Sequence, residues 1–232
     1  MCWPATRRGG VLRAWSAGCS TGEEAYSLAI IFREVLEQVK PKVHYTLQIF
    51  ATDLDRDAID KARLGLFLPN IASDVSAERL NRYFVKDEDG YRIKKEIREM
   101  VTFATQNVIT DPPFTKLDIL ICRNLLIYLG IEMQKKLLPL FHYVLNPGGV
   151  LFLGSAETLG ASAELFTAVN AKLRLFSRDN GISRANLMSF PSTFPLTSAP
   201  HKELSPVKPE INVQVLADRI LLQKHSPPRL FS

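Results

Sequence analysis

The chain has 232 residues, 46% of them hydrophobic and 23% charged, with a formal net charge of +5. That length and balance suit a soluble globular domain with a full core and exclude a disordered or low-complexity polymer. Lysine and arginine are spread along the chain, so no nucleic-acid footprint stands out, and no apolar run reaches the ~18 residues of a membrane helix. Cys2, Cys19 and Cys122 have neither disulfide-frame nor zinc spacing, and the histidines at 44, 142, 201 and 225 are scattered without metal-ligand spacing. No metal site is expected. With no signal-peptide core at the N-terminus, a reducing cytoplasm is the default location.

In chain order, VLRAWSA (11–17) reads as a buried strand, followed by a small-residue loop and a helix over 23–39 with apolar residues at 28, 31, 32, 35 and 36. A second strand follows over 43–53, then a helix over 57–65 that stops at Gly65. Residues 81–106 carry an EDG turn between RYFVK and YRIKKEI, a hairpin inserted into the alternating pattern. LDILICR (117–123) and GVLFLGS (149–155) have the continuous apolar character of parallel strands buried on both faces. Between them, 132–145 is helical with Pro139 inside, and ends at the NPGG turn. A last strand is expected over 172–178. The alternation predicts an α/β fold, a doubly wound Rossmann-like sheet with a small antiparallel β-subdomain inserted. Residues 179–210 are rich in Ser, Pro and Asn and read as a linker, after which 211–225 is again apolar and periodic.

The loop GCSTGEE raises the chemical question. Gly18 and Gly22 open a helix, but no Lys follows and two acids, Glu23 and Glu24, do. A helix N-terminus attracts anions, so acids there argue against a phosphate ligand. S-adenosylmethionine suits the loop better, because it bears a sulfonium and an ammonium and no phosphate. Capping boxes, Ser20 with Glu23 or Thr21 with Glu24, remain an alternative use of the same residues. Asp53 falls at the carboxyl end of the second strand, where an acid can accept from both ribose hydroxyls. Asp53, Asp55 and Asp57 also have calcium-loop spacing, but Ala58 and Leu64 stand where that loop needs Gly and Glu. Asp55 and Asp57 therefore read as turn and helix-cap residues. TDPPF (110–114) resembles a motif of adenine amino-methyltransferases, but it precedes the strand at 117–123 instead of following it, and reads as a turn.

Together, WSAGCSTGEEAYSLAI, FATDLDRDAIDKAR, RYF with its hairpin, TFATQNV, ICRNLLIY and LNPGGVLFLGSAETL resemble the CheR family of chemotaxis-receptor glutamate O-methyltransferases. The likeness is greatest to a subgroup fused to CheB-type methylesterase and PAS-like domains. The resemblance implies a methyltransferase catalytic domain over 1–178 and a PAS-like region beginning within 211–232. It implies S-adenosyl-L-methionine as cofactor, S-adenosyl-L-homocysteine as product, and the cytoplasmic helical region of a chemoreceptor-like protein as partner. Glu24, Asp53, Asn107 with Val108, and Asn124 with Leu125 fall on the family's cofactor contacts, and Gly18 and Gly22 of the loop join them as cofactor-binding candidates. Glu24 would meet the amino-acid end, Asp53 the ribose and Asn107 the adenine. Tyr128 matches a tyrosine near the transferable methyl, though a helix-packing role competes. Arg123 either orients the incoming carboxylate or pairs with a structural acid. Lys86 on the hairpin either attracts acidic substrate helices or is merely solvated. Nothing in MCWPATRRGG matches the family's N-terminal helical domain or its N-x-T-x-F-F-R type motif, so the chain is expected to be a truncated piece with a lidless site and low activity. The alternatives are an inactive cofactor-binding sensor or scaffold module within a signalling fusion and, behind it, a nucleic-acid methyltransferase.

Overall fold

The computed structural model describes residues 10–179. The expected linker and PAS-like lead-in lie outside that range, apart from Asp179. The elements begin with strand β1 (Gly10–Ala17), helix α1 (Glu23–Val39), strand β2 (Tyr45–Asp53) and helix α2 (Arg56–Leu64). A small subdomain follows: β3 (Leu66–Phe67), α3 (Ile71–Asp74), α4 (Ala77–Tyr83), β4 (Phe84–Asp87), β5 (Gly90–Ile93) and α5 (Lys95–Arg98). The chain then returns through β6 (Val101–Thr105), β7 (Leu117–Cys122), α6 (Ile131–Val144), β8 (Leu145–Leu153), β9 (Phe166–Asn170) and β10 (Leu175–Arg178). The large sheet has the order β6-β2-β1-β7-β8-β10-β9, and the small one β3-β5-β4.

β1 lies centrally and pairs in parallel with β2 (Ala14 opposite Ile49) and with β7 (Ala14 opposite Ile119). Successive strands thus build outward on both sides of β1, and the crevice at the carboxyl ends of β1 and β7 is the place where such sheets bind ligands. Pleat alternation divides β1 between two cores. Leu12 and Ala14 join α1, α2 and the small subdomain, whereas Trp15 and Ala17 join α6 and the inner strands. Trp15, with no exposed surface, donates its indole N–H to Thr52 Oγ1 at 2.9 Å, which satisfies its one polar atom.

The structure corrects some of these expectations and adds detail to others. Residues 101–105 do not belong to the inserted subdomain expected over 81–106; they pair with β2, Phe103 opposite Ala51, as an edge strand of the large sheet. The insertion gains a third strand instead, because Leu66–Phe67 pairs with β5. The expected α1 stripe holds in part: Phe32 is buried and Leu28 and Leu36 pack against the core, but Ile31 is 47% exposed, and Ala25, Tyr26, Ala29 and Ile30 are buried beside them. Ala25 and Ala29 have no exposed surface, and a count of large apolar residues overlooks them. The end of the large sheet is also antiparallel, since β10 pairs antiparallel with both β8 and β9. The NPGG segment lies within β8 as an irregularity, the register passing from Leu117–Leu145 to Ile119–Val150.

Helix α4 of the small subdomain is tied to α1 by an ion-pair ladder. Arg79 grips Glu34 with two bonds of 2.8 and 2.7 Å, and Arg82 pairs with Glu37 one turn further on. No described helix is long and apolar enough to cross a membrane.

Candidate functional site

The glycine loop is built from the backbone outward. Gly18 and Cys19 donate their N–H groups to the Thr52 carbonyl at 2.8 and 3.0 Å, hanging the loop on the end of β2. Ser20, at φ +46°, donates its N–H to Asp53 Oδ2 at 2.8 Å, and Asp55 N–H reaches Asp53 Oδ1 at 3.0 Å. Asp53 therefore uses two of roughly four lone-pair sites, one on the glycine loop and one on the turn that follows β2, leaving others for a ligand's hydroxyls. Gly22 adopts φ +92° as the cap of α1, and a Cβ there would lie 2.9 Å from the Phe103 ring. Neither capping box forms, because Gly22 takes the cap position and Thr21 donates its hydroxyl to Glu23 at 2.6 Å. Asp55 does cap α2, accepting from Asp57 and Ala58 N–H; Asp57 lies in the first turn of that helix.

With the capping box unformed, Glu24 turns to Arg123, whose guanidinium donates to Glu24 Oε1 at 2.7 Å. The guanidinium also lies 5.1 Å from the centre of the Phe152 ring. Burial pushes the Glu24 pKa up, and Arg123 pulls it back only in part, with Glu157 and Glu23 adding to the rise. Glu24 Oε2 and Arg123 Nε are both buried and have no hydrogen-bond partner. An orphaned anionic acceptor beside an orphaned cationic donor fits an ammonium-and-carboxylate ligand end. The cofactor named above has that end, and its polarity matches the pair.

Asn107, just beyond β6, accepts from Ile109 N–H at 3.0 Å, and its own N–H reaches Asp111 at 2.8 Å. Val108 packs against the α6-side core. Phe114 of the DPPF stretch stacks on Phe50 at 4.2 Å and meets Trp15 edge-on, so that stretch is a packed turn. Beyond β7, Asn124 stands at φ +58°, and Leu125 lies 3.3 Å from where a Gly18 Cβ would sit. Leu126–Tyr128 forms a 3-10 turn that leaves Tyr128 79% exposed. Gly18, Gly22, Glu24, Asp53, Asn107, Asn124 and Tyr128 thus all follow the carboxyl ends of four neighbouring parallel strands. Two hollows, of about 540 Å³ beside the start of β2 and about 310 Å³ between α1 and the small sheet, contain none of them.

Sequence reasoning missed Glu157. It is buried, and its carboxylate accepts N–H bonds from Leu125, Leu126 and Gly154. Its signal was a lone acid in the small-residue stretch GSAETL just past a strand end.

A parallel sheet that reverses beside β1, closed by an antiparallel pair and opened by a glycine loop followed by acids, defines a Rossmann-like adenosylmethionine-binding domain. Residues 3–175 match the family described as the CheR methyltransferase, SAM binding domain. The chain belongs to this family, whose cofactor is S-adenosylmethionine. A Rhodobacter capsulatus protein of 104.1 kDa, described as uncharacterized, is 42% identical over 168 residues, which are 72% of this chain and 17% of that protein. The chemotaxis protein methyltransferase of Escherichia coli is 33% identical over 184 residues, 75% of this chain and 62% of the relative. The chain thus spans less than two thirds of these relatives' length. A TehB-like SAM-dependent methyltransferase from Corynebacterium glutamicum overlaps with a TM-score of 0.41 at 15% identity, covering 72% of this chain and 78% of its own.

Proposed function

We propose that this domain transfers a methyl group from S-adenosylmethionine to glutamate carboxylates of a chemoreceptor-like protein, forming glutamate methyl esters. The observation that carries the reading is the convergence of the family's motif residues at the carboxyl ends of neighbouring strands, with the half-buried Glu24–Arg123 pair among them. The bound cofactor supplies an electrophilic methyl on a sulfonium. A glutamate side chain, with an ordinary pKa of about 4.3, is already an ionised nucleophile at neutral pH, so the site needs alignment and dryness more than a general base. In this reading Glu24 and Arg123 hold the amino-acid end, Asp53 takes the ribose hydroxyls, and Asn107 and Val108 flank the adenine. Asn124 and Leu125 hold the cofactor above Gly18, and Tyr128 stands beside the reacting carbon. The chemotaxis relatives support a chemoreceptor's cytoplasmic helical region as the partner, and a cytoplasmic location with it. The small sheet, with Lys86 on it, is the surface proposed to dock that partner. Placement within a longer fusion with signalling domains belongs to the same proposal and draws on the 104.1 kDa relative.

A second reading, a cofactor-binding module without catalysis, draws on the same ion pair, which commits Arg123 to Glu24 instead of to an incoming carboxylate. The deciding experiment incubates the full chain with receptor cytoplasmic fragments and methyl-labelled cofactor. Alkali-labile label on receptor glutamates is the expected result. Asp53→Ala should weaken S-adenosylhomocysteine binding by roughly 10- to 150-fold, the equivalent of about 1.5–3 kcal/mol for a lost charged hydrogen-bond pair. Binding without transfer selects the second reading; no binding at all defeats both.

A further inference from the structure

We propose that Glu157 is a positioning residue of the cofactor site, acting through the backbone of Leu125 and Leu126. The inference rests on the assignment of Asn124, Leu125 and Tyr128 to that site. Glu157 is only 3% exposed, and burying a carboxylate is costly unless its oxygens are bonded. Both are. Oε1 accepts from Leu125 N–H at 2.9 Å and Leu126 N–H at 2.8 Å, and Oε2 accepts from Gly154 N–H at 2.6 Å. Leu125 is the cap residue of the 3-10 turn Leu126–Tyr128, and no side chain caps that turn locally. An acid 31 residues downstream of Leu126 therefore satisfies the free N–H groups that open it.

The same carboxylate joins two neighbouring strand ends, since Leu125 follows β7 and Gly154 follows β8. Gly154 leaves no space to spare. A Cβ there would lie 2.8 Å from Glu157 Oε2, 2.9 Å from Asn124 Oδ1 and 3.1 Å from Asn124 N. The absence of a side chain at 154 is what admits both the carboxylate and the Asn124 backbone. Asn124 stands in the left-handed region at φ +58°, a conformation a non-glycine residue keeps only when its surroundings hold it. Leu125, held by its N–H, packs against the glycine loop at Gly18. The line of contact thus runs from Glu157 through two backbone N–H groups to Asn124, Tyr128 and the loop at the end of β1. A residue that only filled the core would not need two charge-assisted bonds aimed at this turn and a third at the end of β8.

The test compares Glu157→Gln, Gly154→Ala and a distant core variant, Ile97→Ala, in the full chain. Glutamine presents an NH₂ where one oxygen stood, setting donor against donor and breaking the bridge between the strands. We expect Glu157→Gln to keep native circular dichroism and to weaken S-adenosylhomocysteine binding by about tenfold or more in calorimetry, the scale of one lost charged hydrogen bond. In turnover, the KM for cofactor should rise while that for the protein substrate stays unchanged. Gly154→Ala should reproduce the binding loss, and Ile97→Ala should lower thermal stability with affinity within twofold of wild type. In wild-type NMR spectra the Leu125, Leu126 and Gly154 amide protons should be protected from exchange. Unprotected amides, a folded Glu157→Gln that binds within twofold of wild type, or affinity that follows stability across all three variants would each overturn the proposal. Should Glu157→Gln fail to fold, Gly154→Ala and the wild-type amides decide. A wild-type chain that does not bind S-adenosylhomocysteine instead defeats the site assignment on which the proposal stands.

Discussion

Glu24 is pulled in two directions. Burial favours its neutral form and Arg123 its charged form, and burial prevails, so its pKa lies above the ordinary carboxylate range. The folded state thus binds this proton more tightly than the unfolded chain does. The stability contribution is full below the unfolded pKa and is lost as pH rises through the raised folded value. Binding runs the other way, because a ligand ammonium needs the charged form. S-adenosylhomocysteine affinity should therefore fall on acidification at a higher pH than an exposed glutamate would dictate, and Glu24→Gln should flatten that profile while weakening binding at neutral pH. Calorimetric titrations from neutral into the acid range check this; a flat wild-type profile would count against it. Gly18, Gly22 and Asp53 were legible because glycines before a helix and an acid after a strand carry meaning in one dimension. Glu24's partner was not, since Arg123 is 99 residues away.

Among the elements, α1 was placed to the residue, and its buried face only in part: Leu28, Phe32 and Leu36 face the core, Ile31 does not, and the alanines went unseen. Register against a sheet depends on which small side chains allow contact, and periodicity of large ones does not report that. The hairpin was legible from its turn, where Asp87 accepts from Glu88 N–H at 2.8 Å and from Arg92 Nε at 2.9 Å. Its third strand was not, for two residues carry no alternation. That strand depends on Gly90, where a Cβ would lie 2.0 Å from the Phe67 carbonyl oxygen. Gly90→Ala should therefore push β3 off the small sheet and lower stability by about 1–3 kcal/mol in urea unfolding. Because the small sheet stands apart from the carboxyl-end loops, S-adenosylhomocysteine affinity should stay within twofold. A collapse of binding would show that the subdomain shapes the cofactor site after all.

At the scale of the described domain, one sheet separates two cores, and β1 supplies both. On the α6 side Trp15 meets Phe141 edge-on, with ring centres 6.2 Å apart, and both are fully buried. Phe141→Ala should cost about 3–5 kcal/mol, combining lost transfer energy with the cavity left behind. Urea unfolding followed through the fluorescence of buried Trp15 measures it. A loss below about 1 kcal/mol would mean that α6 collapses onto the sheet at little cost.

What the sequence determined by itself was whatever depends on neighbours in the chain: strand–helix alternation, the EDG turn, the glycine loop and the acid after the second strand. These features arise from local backbone geometry and side-chain periodicity, and both are written in order along the chain. Only the tertiary structure decided that 101–105 joins the large sheet, that Arg123 answers Glu24, and that Glu157 caps a turn 31 residues earlier. Each of those is a pairing between distant positions, and its partner is selected by packing and by the need to satisfy buried polar groups. A linear reading has no term for that selection.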